Sequence, residues 1–206
     1  VLIISGNHSR HRYILEPIKK YFTNISCVMM ARESSKKGLP TDTINNNEKN
    51  LLKKHFELRY LKETKYFGKK NVKNYFVNKN FLKIEPSELN SKKMKNFLKK
   101  KYDICFVMGA GLFKKSILRL LPKTTINIHL GLSPWYRGSA TLFWPSYNME
   151  PWKTGVTFHK IDENIDSGSI LHQSIPKIKK NMGVVDLSIS AILKAREDFD
   201  KILLKN

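Results

Sequence analysis

The run YDICFVMG at 102–109 constrains this chain most. Its five successive apolar residues, ICFVM, leave no polar face, and the run is too short for a buried helix. A strand covered on both faces belongs in the middle of a parallel sheet. VLIIS (1–5) and ISCVMMA (25–31) read the same way, and TINIHLG (125–131) reads as a further strand. Helical segments lie between them. RYILEPIKKYF (12–22) begins a helix interrupted at Pro17, and ARESSKKGLPTDT (31–43) is a loop. Asp42 and Thr43 are placed to cap a helix through about 65 whose apolar residues are Leu51, Leu52, Phe56, Leu58 and Leu61. FLKIE (81–85) is a short strand in an otherwise irregular stretch. Ser87 is placed to cap ELNSKKMKNFLKKKY, where Met94, Phe97 and Leu98 form one stripe. KKSILRLL (114–121) is a short helix closed by Pro122. The alternation argues for an α/β fold: a Rossmann-like, mostly parallel central sheet with flanking helices.

Beyond residue 130 the pattern changes. SATLFWPSYNM (139–149) looks helical around a proline. TGVTFHKI (154–161) and ILHQSIPKI (170–178) read as strands paired across the acidic turn IDENIDSGS. The last segment is a helix with Ile189, Ile192, Phe199, Ile202 and Leu203 on its apolar face. The 206 residues suit a single domain, 1–206. No apolar stretch approaches the roughly 18 residues of a membrane span. VLIIS is too short for a signal sequence and lacks a basic lead. Cys27 and Cys105 sit inside apolar runs and read as reduced core residues, which points to the cytoplasm. His129, His159 and His172 show no HxH or HxxxH spacing, so no metal site is expected.

The net charge of +21 is unevenly spread. Residues 1–125 carry 28 Lys and Arg against 9 Asp and Glu, whereas 126–206 carry 10 against 8. The excess peaks in 49–101, with 17 against 4. Only seven of the 38 basic residues are Arg, the side chain that base and phosphate readers favour. A Lys- and Asn-rich solvated surface accounts for most of the excess, nucleic acid is disfavoured as a partner, and attraction of an anionic substrate takes up the rest. A non-catalytic basic RNA-binding module remains the alternative outside enzymes, with steeply salt-dependent binding as its signature.

Ligands of open α/β sheets sit beyond the carboxyl ends of strands. Three such ends stand out: SGNHSR after the first strand, GAGLF after DICFVM, and NIHLGLSP. Asn127 and His129 share strand parity, so both face the same side. Asn offers a fixed donor, and His exchanges protons near neutrality. Asp162, Glu163 and Asp166 are the local carboxylates able to set the charge of His129. An amide, an imidazole and a carboxylate suit a reaction that builds charge on a carbonyl oxygen and then moves protons. No Ser, Cys or Lys stands out as a covalent nucleophile, so direct transfer is expected.

Residues 127–173 hold several motifs at set distances. Asn127 and His129 end a strand. Pro134, Tyr136 and Gly138 form the turn that follows. Gly155, Val156, Thr157 and His159 lie on the next strand, and Asp166 and Gly168 follow in a loop 37 residues after His129. This pattern resembles the folate-dependent formyltransferase family, closely over 103–173 and diffusely elsewhere. That family includes the sugar N-formyltransferases and the catalytic domains of phosphoribosylglycinamide and methionyl-tRNA formyltransferases.

The resemblance implies formyl transfer from 10-formyltetrahydrofolate to a substrate amine by direct attack. Asn127 and protonated His129 would steady the oxyanion, while Asp166 would raise the pKa of His129 and help carry protons. The pterin would lie against Gly109, Gly111, Leu112, Phe113, Ile161, Asp162 and Ile165. The substrate side would comprise Asn7, Arg10, His11 and Arg12, with Tyr136, Arg137 and Gly138. The chain departs from the family's pattern at two places. Ser133 stands in the usual Leu-Leu-Pro. His8 stands where the phosphate loop of the glycinamide enzyme has its second Gly, and a Cβ there restricts close backbone approach to phosphate. The tRNA enzyme carries a further C-terminal domain that residues up to Asn206 do not supply. The turn at 136–138 and Phe143-Trp144 look most like sugar N-formyltransferases. The expected substrate is therefore an amino sugar carried on a nucleotide, an anionic small molecule for glycan assembly. Phosphoribosylglycinamide is the alternative. No membrane partner is expected, and a homodimer is compatible with the reading.

Overall fold

The structure, a computed structural model, describes residues 1–31, 45–78 and 80–204. The buried runs form strands β1 (Leu2–Gly6) and β2 (Ser26–Met30), with the short helices α1 (Ser9–Leu15) and α2 (Ile18–Tyr21) between them, broken at Pro17. Next come helices α3 (Asn46–Phe67) and α4 (Val72–Phe76), strand β3 (Phe81–Ile84) and helix α5 (Lys92–Phe97). Strand β4 (Ile104–Met108), helix α6 (Lys115–Leu118) and strand β5 (Thr124–His129) follow. Helix α7 (Trp144–Tyr147), strands β6 (Val156–Lys160) and β7 (Ile170–Ser174) and the long helix α8 (Val184–Leu204) complete the order.

All seven strands share one sheet in the order β3-β2-β1-β4-β5-β6-β7. β1 to β5 are parallel, and β6 and β7 run antiparallel at one side. The order reverses between β1 and β4, the switch point at which α/β sheets open a crevice. Side chains on one sheet face pack with α1, α2 and α8; Phe199 of α8 meets Phe106 at 5.1 Å and Phe158 at 5.8 Å. The other face packs Ile4, Val28 and Val107 with Met94 and Ile117. Asp198 of α8 is buried against β7, accepting hydrogen bonds from Ser174 Oγ (2.8 Å) and Lys194 Nζ (2.8 Å) with His172 Nε2 at 3.1 Å. Cys27 and Cys105 are both free and buried, and burial pushes the Cys27 thiol up to about 12.

Several local expectations change. Asn45 caps α3, accepting the Glu48 N–H while the Glu48 carboxylate returns to the Asn45 N–H. Asp42 and Thr43 lie outside the described residues, as does nearly all of the expected loop at 31–43. Leu51, Leu58 and Leu61 are exposed at 67, 46 and 65%, so the apolar spacing of α3 is not its docking face. Ser87 caps nothing. Glu85 and Glu88 close a 3-10 turn over Pro86–Asn90, and Ser91 then accepts the Met94 N–H to start α5. One expected helix becomes two pieces because a second capping serine lies four residues on. Helix α4, capped by Asn71, falls in a stretch read as irregular. Only Trp144–Tyr147 of 139–149 is helical; Pro145 suits a first turn, where its missing N–H costs nothing.

Candidate active site

Strand parity puts Asn127 and His129 on one side of β5, at its carboxyl end. β6 lies antiparallel beside it, with Asn127 opposite His159 and His129 opposite Thr157. The segment after β6 then brings back Asp166. Its Oδ1 accepts from Asn127 Nδ2 at 3.0 Å and lies 3.5 Å from His159 Nε2. Its Oδ2 lies 3.2 Å from His129 Nδ1 and accepts the Gly138 N–H at 2.9 Å. One carboxylate thus gathers side chains from two strands and the turn after β5.

The backbone is bent to place it. Asp166 has φ of 47°, a left-handed conformation that Asp tolerates better than most residues. Ser133, the departure from Leu-Leu-Pro, donates its hydroxyl to the Asp166 carbonyl at 3.3 Å. Gln173 Nε2 holds the Ser133 carbonyl at 2.7 Å. At Gly168 an added Cβ would sit 1.8 Å from the Lys160 carbonyl oxygen, so the Asp-x-Gly spacing is enforced by backbone packing.

The protons follow from the partners. His159 Nδ1 lies 2.7 Å from the Lys160 carbonyl and must donate to it, which leaves Nε2 to accept from Asn127 Nδ2 at 3.0 Å. Both amide N–H groups of Asn127 are therefore engaged, one on Asp166 and one on His159. His129 has acceptors on both sides, Asp166 at Nδ1 and the Tyr136 carbonyl at Nε2 (2.8 Å). Only the doubly protonated ring satisfies both. Burial opposes that charge and is the largest effect; Asp166 and the Tyr136 carbonyl pull the other way without overcoming it. The net result is a His129 pKa below the ordinary histidine value. Asp166 raises the pKa as expected, and desolvation, which the sequence does not reveal, outweighs it. For Asp166 burial pushes the pKa up, but the neighbouring His159 and His129 rings and the Gly138 N–H together hold it below the usual carboxylate value.

These groups line a cleft of about 700 Å³ at the switch point. Gly109, Gly111, Leu112, Phe113, Ile161, Asp162 and Ile165 all lie on its wall. Leu112 and Ile165 are 54 and 57% exposed, apolar side chains held open to solvent on two irregular segments, and Phe113 is buried beneath. Such walls fit a flat heteroaromatic ring system: apolar surface for its faces and loop backbone for its edges.

Of the expected substrate residues, Arg10, His11 and Gly138 line the cleft. Asn7, Arg12, Tyr136 and Arg137 do not. Asn7 Oδ1 accepts the Lys73 N–H at 3.0 Å. Arg12 is buried and donates to the Phe67 carbonyl, the Lys70 carbonyl and Glu16. The Tyr136 hydroxyl donates to Glu150 at 2.7 Å, and it is the Tyr136 backbone that reaches His129. Arg137 is exposed beyond the cleft. Two sets of residues were missed. His159 carries a readable signal, since it stands opposite Asn127 once β6 is paired with β5. His55, Phe56, Arg59 and Glu63 of α3 also line the cleft, and nothing local in the sequence marks them.

The sequence profile of the formyl transferase family matches residues 1–195. The chain belongs to this family. Formyltransferases of this family take the formyl group from 10-formyltetrahydrofolate. Among curated relatives, the chain is 33% identical over 88 residues to a GDP-perosamine N-formyltransferase of Brucella melitensis, covering 43% of this chain and 34% of that protein. The match thus spans about a third of that relative's length. A sugar N-formyltransferase structure from a Shewanella species superposes with a TM-score of 0.60 at 17% identity, over 98% of this chain and 67% of that one. A phosphoribosylglycinamide formyltransferase structure from Streptococcus pneumoniae gives 0.64 at 13%, over 99 and 97%. At these identities the structures establish a shared fold. Among the described residues, no helix of this formyl transferase chain is long and apolar enough to cross a membrane.

Proposed function

We propose that this chain transfers a formyl group from 10-formyltetrahydrofolate to the amine of an amino sugar carried on a nucleotide. The observation that carries the reading is the Asp166 carboxylate, bonded to Asn127 and within 3.2 Å of His129 inside the cleft. Bound along Leu112, Phe113 and Ile165, the folate supplies the formyl carbon. The amine nitrogen bonds to that carbon, the carbon's bond to the folate nitrogen breaks, and one proton passes from amine to folate nitrogen. Asn127 gives up one of its two engaged N–H groups to the oxygen on which negative charge develops, and His129 donates beside it. Asp166, ionised and pointing at both, takes and returns the proton that the amine loses.

The amino sugar assignment draws on the Brucella relative and on the reading of the turn after β5. Phosphoribosylglycinamide is the second reading, favoured by the near-complete superposition on the Streptococcus pneumoniae structure. His8 in the loop after β1 speaks against it. A screen of amino sugar nucleotides and phosphoribosylglycinamide with the formyl donor, read by mass gain, separates the two. His129→Ala and Asp166→Ala should each cut turnover by several orders of magnitude while leaving the fold intact by circular dichroism. Near wild-type rates in both would refute the assigned roles.

A further inference from the structure

Helix α3 docks the wrong way round for a packing helix. Leu51, Leu58 and Leu61 face solvent, while His55, Phe56, Arg59 and Glu63 face the cleft. A surface helix normally turns its apolar stripe inward. The inward polar residues here are organised. Glu63 accepts Arg10 Nη1 on both oxygens, at 3.0 and 3.1 Å, and Arg59 Nε at 2.8 Å. Two guanidiniums thus share one carboxylate, which leaves a net positive charge on this wall. The Glu63 side chain is only 14% exposed and that of Arg10 12%, so solvent screens this pair weakly, while Arg59 at 35% reaches the open cleft. The terminal nitrogens of Arg59 carry no hydrogen bond among the described residues. His55, one turn before Arg59, has its pKa lowered by burial first and by the Arg59 charge second. It also touches Phe143, at 5.9 Å between rings, which joins α3 to the segment after Gly138.

The cleft is therefore polarised. Guanidiniums stand at the α1 and α3 wall, and Asp162 and Asp166 at the wall made by the segment after β6. We infer that Arg59, with Arg10 and Glu63, forms the subsite for the phosphate groups of the amine substrate. The inference rests on the formyl-transfer reading for the identity of that substrate as an amine. A molecule with phosphates at one end and an amine at the other matches the polarity, phosphates to guanidiniums and amine to Asp166. Glu63 pre-aligns the two forks and cancels half of their charge. A phosphate carries more than one negative charge and takes the terminal donors of Arg59.

Calorimetric titration with inorganic pyrophosphate at fixed ionic strength tests this, with circular dichroism confirming the fold of each variant. Wild type should bind. Arg59→Ala should weaken binding about tenfold or more, the scale of one hydrogen bond to a charged group. Arg59→Lys should recover part of the loss, keeping charge without the fork. Lys65→Ala, on the exposed stripe with Leu58 and Leu61, should bind as wild type does. The inference is overturned if wild type does not bind, if Arg59→Ala binds as wild type, or if Lys65→Ala loses as much as Arg59→Ala. No formyl donor enters this titration, so its outcome is independent of whether formyl transfer is found. Once an active amine is known, Arg59→Ala should raise its KM and leave that of 10-formyltetrahydrofolate unchanged.

Discussion

Asp166, Asn127, His129 and His159 form one connected set, joined through the Asp166 carboxylate and the Asn127 amide. The cost of that arrangement is burial, and it shows in the protonation of His129. The folded ring holds its proton less tightly than the unfolded ring, whose ordinary value is 6.5. As pH falls through that value the unfolded chain takes up the proton first, so stability present above about 6.5 is lost on acidification. Asp166 acts in the same sense in a lower window. Its folded pKa lies below the ordinary 3.8, so its contribution is present above that value and lost as pH falls through the folded one. The melting temperature should decline as pH is lowered from 7 through the ordinary histidine range, and His129→Gln should flatten that decline. His55 is lowered too, so the difference between wild type and the single variant is the quantity to read. An unchanged pH profile in His129→Gln would contradict the burial argument.

The helices divide into two kinds. Helix α8 is a packing element: Val185, Ile189, Ile192, Phe199 and Leu203 are buried, and Asp198 is fastened to β7 by Ser174 and His172. Helix α3 is a wall element, held at its ends by the Asn45–Glu48 cap and buried Phe67 and at its middle by polar contacts. The two should respond differently to truncation. Phe199→Ala removes a ring packed between Phe106 and Phe158 and should cost about 3–5 kcal/mol. Leu58→Ser, on the exposed side of α3, should change stability by less than about 0.5 kcal/mol. Denaturant unfolding checks both, and comparable losses would mean that α3 packs through its leucines after all.

At the scale of the molecule, the switch point between β1 and β4 sets where the cleft opens, and the two antiparallel strands beside β5 supply the carboxylate that completes it. The wall proposed for the folate is assembled from the segments after β4 and β6, remote from each other in the chain, so ligand binding there should stabilise the folded state as a whole. Tetrahydrofolate should raise the melting temperature. Leu112→Asp and Ile165→Asp, both at exposed positions, should lose that rise while keeping the ligand-free melting temperature. A full shift in both variants would remove the folate from this wall.

Much of this architecture is readable in the sequence. The uninterrupted apolar runs of β1, β2 and β4 specify burial on both faces, and a central parallel sheet follows from that. The parity of Asn127 and His129 puts them on one face. The spacing of the motifs, through the family resemblance, points to Asp166. These are local properties, set by the two-residue repeat of a strand and by what a short apolar run can bury. The rest depended on partners remote in sequence. Arg12 and Asn7 look like ligand contacts in SGNHSR, yet the carbonyls of Phe67 and Lys70 and the N–H of Lys73 had already claimed them. Arg59 and Glu63 look like solvated helix residues, yet Arg10 turns them into a cleft wall. The downward pull on the His129 pKa is not legible in the sequence, because desolvation is a property of its surroundings and not of the residues beside it in the chain. Sequence alone determined which segments must be buried and which residue types stand at the strand ends. Only the tertiary structure decided which hydrogen-bonding groups remain for a ligand, because each buried donor and acceptor is satisfied first by whatever partner the fold brings within reach.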